Sequence, residues 1–324
     1  MNFSLTDVQL SWKDKGEELG RALDVDAAAG DVVSGAARLG LLDPEVDLMS
    51  RALAVEALAA QSPSAAIAFA LHTGSSLALP RDSRFEGLWR GEAVAAIALS
   101  SDDIPAEDSG TLTGRAAWVA PITDHGVAIV GGRGADGTDG LSAFAVSLDA
   151  PGVRVAPVRT AALRGFVCGH LSLEQAPATA IGPTVPIMST LRVLIAAAGL
   201  GMGRRALREA LQAAKQTRAA SAWEETVQGL LADAATELDA AMLLTWKAAS
   251  TDTPSLSDAS LAKLAAGTAA EHAVERSTQV IGADAFQRGH IVERLAQDVR
   301  ALELFAGRTE ALRAAAAADL LPQI

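Results

Sequence analysis

The texture of this 324-residue chain changes part-way along and then changes back, and that limits its fold more than any single residue does. From about Leu5 to Trp89 it reads as helices. Thr6 suits an N-cap, because a hydroxyl there can take an unpaired first-turn amide. Apolar positions recur through Ala22, Leu23, Val32, Leu39 and Leu41, and residues 51–60 form a second Ala/Leu stretch. Ser62-Pro63-Ser64 breaks the pattern, with Pro63 suited to a first helical position. Residues 65–79 then continue as a mostly apolar, buried helix.

From about Ala93 to Ile181 the apolar runs shorten to 93–99, 126–130, 141–148 and 171–173, with Gly, Asp and Pro between them. Runs of that length with turn residues between them predict an antiparallel β-region. From Pro186 the helical period returns in 193–213 and 227–249, and Thr251 to Ser257 breaks it. Ser257 or Asp258 is the expected cap of a helix running toward Ile281, and a last helix is expected from after Asp298 to about Leu320. Helices this long and apolar pack as a bundle. The expected class is α+β, mostly helical.

Composition narrows the function. Half of the residues are hydrophobic and 4% are aromatic, a mix that favours helix. A net charge of −12 argues against a nucleic-acid partner. The lone Cys168 cannot form an internal disulfide, which suits a reducing cytoplasm, and it reads as a small buried hydrophobe. No basic segment followed by an apolar one opens the chain, so no signal peptide is expected. The run 194–202 is too short to span a bilayer and is flanked by charges, so no membrane span is expected. Ala197-Ala198-Gly199-Leu200-Gly201-Met202-Gly203 contains G-x-G but follows no strand, so it predicts close helix packing rather than a dinucleotide site.

The motifs near the end are more specific. Gln279-Val280-Ile281-Gly282-Ala283-Asp284-Ala285-Phe286 is followed by Val292-Glu293-Arg294-Leu295-Ala296-Gln297-Asp298, and then by Leu304-Phe305-Ala306-Gly307-Arg308-Thr309-Glu310. This order resembles the close of the acyl-CoA dehydrogenase family, which has a Q-x-x-G-G-x-G turn, an E-R-L-x-R-D helix start and a Y-E-G-T segment. Phe3-x-Leu5-Thr6-Asp7-x-Gln9 is similar to the family's opening. Leu148-Asp149-Ala150-Pro151-Gly152-Val153 and Leu163-Arg164-Gly165-Phe166 look like its β-domain turns. The resemblance implies an N-terminal helical domain (1–92), a β-barrel-like middle domain (93–183) and a C-terminal four-helix bundle (184–324). It also implies FAD, an acyl-CoA or related thioester as substrate, a place in fatty acid metabolism, and a homo- or hetero-tetramer built as a dimer of dimers. Acyl chain and electron acceptor are left open.

The resemblance also assigns site residues. The Y-E-G-T glutamate, which removes the substrate α-proton in most members, falls at Ala306. The alternative place for that base, just before an arginine, falls at Leu191, with Arg192 as the arginine. If a helix ran through Ala306, Glu303 and Glu310 would share roughly one face with it and serve as replacement bases; His72 and His290 are other titratable choices. Leu99 and Ser100 match the entry to the family's flavin loop, although Ser101-Asp102-Asp103-Ile104-Pro105 replaces its continuation and equally reads as an acidic surface turn. Trp118 matches a tryptophan that packs on the flavin, with Ala120 at the position of a flavin-bonding threonine. Gln279 and Gly282 match the adenosine-diphosphate turn, where Ala283 and Ala285 replace glycines. Lys215 or Arg218 could reach a pyrophosphate, or belong to a solvated basic helix face. No metal site is expected.

Three functions fit these residues. One is a flavin-dependent dehydrogenase that desaturates an acyl-CoA at its α,β-bond, using a displaced base. Another is a non-catalytic subunit that completes the cofactor site of a competent partner. The third is the same fold reused for other acyl-thioester or flavin chemistry.

Overall fold

The computed structural model describes residues 4–99, 105–134, 141–216 and 221–321. Five helices come first: α1 (Asp7–Ala22), α2 (Ala29–Arg38), α3 (Leu48–Ala59), α4 (Pro63–Ser76) and the short α5 (Glu86–Trp89). Thr6 closes a full capping box on α1: its hydroxyl accepts from the Gln9 amide at 3.3 Å, and the Gln9 side chain accepts from the Thr6 amide at 2.9 Å. Ser62 caps α4, with Pro63 in its first turn. Every residue of α4 is buried, so the absence of a polar stripe in its sequence reflects contacts on all sides.

Among the described residues eight strands follow: β1 (Val94–Ala98), β2 (Ala106–Asp108), β3 (Thr111–Ile122), β4 (Gly126–Arg133), β5 (Leu141–Ser147), β6 (Val153–Val158), β7 (Val167–Pro177) and β8 (Thr179–Pro183). They form one sheet in the order β6-β7-β3-β1-β4-β5-β8, with β2 beside β3 and β4. The pairings are antiparallel except where β1 and β2 meet β4. Gly126 permits the parallel contact, since a Cβ there would stand 2.4 Å from the Val94 carbonyl oxygen. The β3–β7 ladder shifts register between Ala116 and Val119, and Trp118 lies in that bulge.

The chain ends in α6 (Thr184–Gln216), α7 (Ser221–Ala249), α8 (Leu256–Ile281), a 3-10 turn (Gly282–Phe286), α9 (Ile291–Asp298), a second 3-10 turn (Val299–Leu304) and α10 (Thr309–Leu320). Two sequence expectations need correction. The cap of α8 is Ser255, whose hydroxyl accepts from the Asp258 amide at 3.0 Å, so Asp258 stands in the first turn instead. No single helix runs from Asp298 to Leu320, because Phe305 turns extended (φ −111°, ψ 138°) and Ala306 and Gly307 take positive φ.

Glycines in α6 bring the helices close, as the small-residue run predicts. A Cβ at Gly201 would lie 2.2 Å from the Glu56 carbonyl oxygen, and one at Gly203 would lie 2.6 Å from Leu238 Cδ2. α6 is 33 residues long and apolar enough to cross a membrane by length and composition, but 78% of its apolar window is buried inside the protein.

The loop between β6 and β7 joins the helical regions to the sheet. The Gly165 amide donates to Ser64 Oγ at 3.2 Å, the Leu163 amide to Asp298 Oδ1 at 2.6 Å, and Arg164 to Gln297 at 2.8 Å. Phe166 packs on Phe305 with ring centres 6.1 Å apart. One loop thus ties the sheet to α4, to α9 and to the turn that holds Ala306.

Candidate functional site

The turn after the second 3-10 segment is held by two buried cations. Arg192 Nε donates to the Ala306 carbonyl at 3.0 Å, and its Nη1 to Ser260 Oγ at 2.7 Å. Lys263 Nζ donates to the Gly307 carbonyl at 2.5 Å. Arg192 is 5% exposed and Lys263 is 4% exposed. Burial pushes the Lys263 ammonium down to about 8; Arg192 adds to that effect and Glu303 opposes it. Ala306 stands at φ 55°, which is uncommon for a residue with a Cβ, and Gly307 stands at φ 103°. A side chain at Gly307 would also come within 3.2 Å of Arg192 Nη2, so the position needs glycine.

Glu303 is engaged with Thr309 instead. Its carboxylate accepts from the Thr309 amide at 3.0 Å and from the Thr309 hydroxyl at 2.6 Å. It therefore caps α10, whose N-cap residue Arg308 makes no side-chain capping bond. Partial burial pushes Glu303 upward, but the Thr309 bonds together with Lys263 and Arg313 outweigh it and hold the carboxyl below its ordinary range. Glu310 is exposed in the first turn of α10. Because no helix runs through Ala306, the two glutamates do not share a face with it. Leu191 is buried, with its Cδ2 2.5 Å from where a Cβ on Gly74 would stand. His72 is fully buried; its Nδ1 accepts from the Ala95 amide at 3.0 Å, and burial lowers it to about 4. His290 caps α9 by accepting from the Val292 amide at 3.2 Å.

A second part of the site lies on the sheet. Trp118 stands at φ 56° in the β3 bulge and is 44% exposed. Its ring meets His170 edge-on at 5.6 Å and 77°. Leu99, just past β1, is buried, and a Cβ on Gly131 would approach its carbonyl to 2.7 Å. Ala120 is buried opposite Ile97.

Comparison with known proteins agrees with this geometry. Residues 186–321 match the family model for the acyl-CoA dehydrogenase C-terminal domain. A probable acyl-CoA dehydrogenase of Bacillus subtilis is 27% identical over 315 residues, covering 85% of this chain and 83% of that protein. The human mitochondrial short-chain specific acyl-CoA dehydrogenase is 29% identical over 237 residues; the match takes in 66% of this chain and spans only 57% of that protein. The fold also matches a glutaryl-CoA dehydrogenase from Mycobacterium smegmatis solved with FADH2, at a TM-score of 0.82, 17% identity and coverage of 98% and 94%. The chain has the acyl-CoA dehydrogenase fold, and its residues 186–321 match that family's C-terminal domain.

Within this acyl-CoA dehydrogenase fold the predicted residues separate into groups. Arg192 and Ala306 meet at the C-terminal turn and Leu191 packs toward Gly74 of α4, whereas Trp118 belongs to the sheet and Leu99 follows β1. Gln279 is exposed and Gly282 closes α8 at φ 75°, with nothing within 4 Å of where its Cβ would stand. At ~1.5 Å per residue, the α8 axis carries Gln279 roughly 24 Å beyond Lys263. Lys215 is exposed at the end of α6. Ser100 and Arg218 lie outside the described residues, as do Phe3 and 101–104.

FAD is implied by the family, and the residues present fit it in part. A large, half-exposed indole held at a strained backbone angle provides a flat apolar wall. The open Gly282 turn leaves room for close backbone approach. Ala120 supplies no hydroxyl. The sequence reading did not single out Lys263 or Asp298, although Lys263 gives a signal: it is the lone charge in the apolar run Leu261-Ala262-Lys263-Leu264-Ala265-Ala266.

Proposed function

We propose that this chain is a flavoprotein subunit that binds FAD and an acyl thioester but does not itself remove the substrate α-proton. It works beside an acyl-CoA dehydrogenase chain that carries the base, in a tetramer. The observation behind this reading is the Ala306 turn. The position expected for the base has no proton acceptor on its side chain, and the carbonyls of Ala306 and Gly307 are taken by Arg192 and Lys263. The nearby Glu303 is committed to Thr309 and held in its charged form. Leu191 fills the alternative base position with a buried apolar side chain.

In α,β-desaturation a base takes the α-proton and a hydride leaves the β-carbon. FAD, when bound, would supply the hydride acceptor. Trp118 would give its ring a wall, and the Gln279–Gly282 turn would receive the adenosine diphosphate end. Phe166 and Phe305 exclude water where the sheet meets the turn.

The test is to reconstitute the purified chain with FAD, remove the excess and add an acyl-CoA anaerobically. Retained flavin that does not bleach supports the subunit reading. Rapid bleaching by the chain alone would sink it and favour a self-sufficient dehydrogenase.

A further inference from the structure

A cavity of ≈ 380 Å³ lies between the loop before α3, the C-terminal turns of α4, the first turns of α6 and Asp252. Pro44, Val46, Leu48, Leu77 and Ile187 make its wall mostly apolar. Arg51, also on the wall, is 1% exposed. Its Nε donates to the Val46 carbonyl at 3.1 Å and its Nη2 to the Asp43 carbonyl at 2.6 Å. The guanidinium carbon stands 5.5 Å from the centre of the Trp12 ring. Its Nη1 is buried and has no hydrogen-bond partner among the described residues.

The surrounding carboxylates are engaged elsewhere. Asp43 accepts from the Glu45 amide at 2.9 Å, Asp47 from the Ser50 amide at 2.9 Å, and Asp252 from the Leu48 amide at 2.9 Å. Glu45 pairs with Arg81. These aspartates offset the Arg51 charge from a distance but leave its free N–H unpaired. An unpaired buried donor is costly, and folded proteins seldom leave one without a reason. Here the donor belongs to a braced, stacked guanidinium on the wall of an apolar cavity, the usual make-up of a small-ligand site.

We propose that this cavity binds a small apolar molecule bearing one neutral carbonyl oxygen, an amide or a ketone, which accepts the free Arg51 N–H. A neutral acceptor fits because Asp43, Asp47 and Asp252 already lie close enough to favour the cation, against its burial and Arg81, and would repel an anionic ligand. Thr190, also on the wall, offers a hydroxyl to the same ligand. The site is distinct from the Ala306 turn and does not rest on the flavin reading. At ~100° per residue, Ile187 and Thr190 point to the side of α6 opposite Arg192.

The test uses the full chain and ligand-observed NMR with pentanamide and pentanoate as probes. Pentanamide should bind more tightly than pentanoate. Its affinity should fall at least tenfold in Arg51→Lys, and also in Ala78→Leu, which fills the wall but leaves Arg51 in place. Trp118→Ala should leave it unchanged. Ala78→Leu keeps the test decisive if Arg51→Lys fails to fold. Absence of pentanamide binding, binding that Ala78→Leu leaves untouched, or tighter binding of pentanoate would each overturn the proposal.

Discussion

Trp118 and Ala306 hold nearly the same backbone angle, φ 56° and 55°, and are supported in opposite ways. Ala306 is clamped: Arg192 bonds its carbonyl and Lys263 bonds the next one. Trp118 meets the edge of His170 and makes a long 3.4 Å bond from its amide to that ring, and its indole stands 44% exposed. Strain that the surrounding structure fixes is spent on the fold, whereas strain beside an open face suits a partner yet to be bound. On the proposed reading, the sheet side of this molecule is the side that receives a flat ligand. The turn side has used its polar groups on itself, and this difference supports a subunit that binds cofactor without a base of its own.

The strongest way to break the comparison is to supply the missing base. In the FAD-loaded chain, Ala306→Glu should raise the rate of acyl-CoA-dependent flavin bleaching by about 10²–10⁴, the usual worth of a placed general base. An unchanged rate would mean that the turn does not face the reacting carbon.

Cutting the clamp should cost stability. Arg192→Met leaves the Ala306 carbonyl and Ser260 hydroxyl short of a donor inside the protein, at a cost of about 3 kcal/mol in urea melts. The exposed Trp118→Phe change should cost under about 0.5 kcal/mol. Equal losses would erase the contrast between the two regions.

Lys263 gives the clamp a pH signature. Its folded value of about 8 lies below the ordinary 10.5, so the unfolded chain binds the extra proton between those values. Stability should therefore rise as pH goes from 8 to 10.5, by at most about 3 kcal/mol from this group. The cost of burying the charge is fully present below pH 8. Cys168, pushed up to about 11 by burial, acts in the opposite direction above pH 9, so the informative quantity is the difference between the wild type and Lys263→Met. If both chains show the same pH slope, Lys263 is not buried as a cation.

The smallest effect concerns strain alone. Trp118→Gly should relieve the positive φ, stabilise the FAD-free chain by up to about 1 kcal/mol and weaken FAD retention. A loss of stability would show that the indole is held by packing and is not waiting for a ligand.

The sequence made the order of elements legible because local chemistry sets it. Thr6 and Ser62 cap where their hydroxyls stand, and Gly126 and the Asp149–Gly152 turn punctuate strands. The β1–β4 parallel pairing was not legible, since it depends on which strands become neighbours. The break at Phe305 was missed because Leu304-Phe305-Ala306 carries no helix-stopping residue before Gly307. It is imposed from a distance by Arg192, Lys263 and the Phe166 ring. The assignment of Glu303 and Glu310 to one face failed for the same reason. Lys263 and the Arg51 cavity depend on contacts across more than forty residues of chain, which no local pattern records.

The most direct test of the account is the visible spectrum of the FAD-reconstituted chain, followed during anaerobic addition of an acyl-CoA. The account predicts a flavin band near ~450 nm that survives removal of free FAD and stays unbleached until a base-bearing partner chain is added. Loss of the band with free FAD, or bleaching by the chain alone, would contradict it.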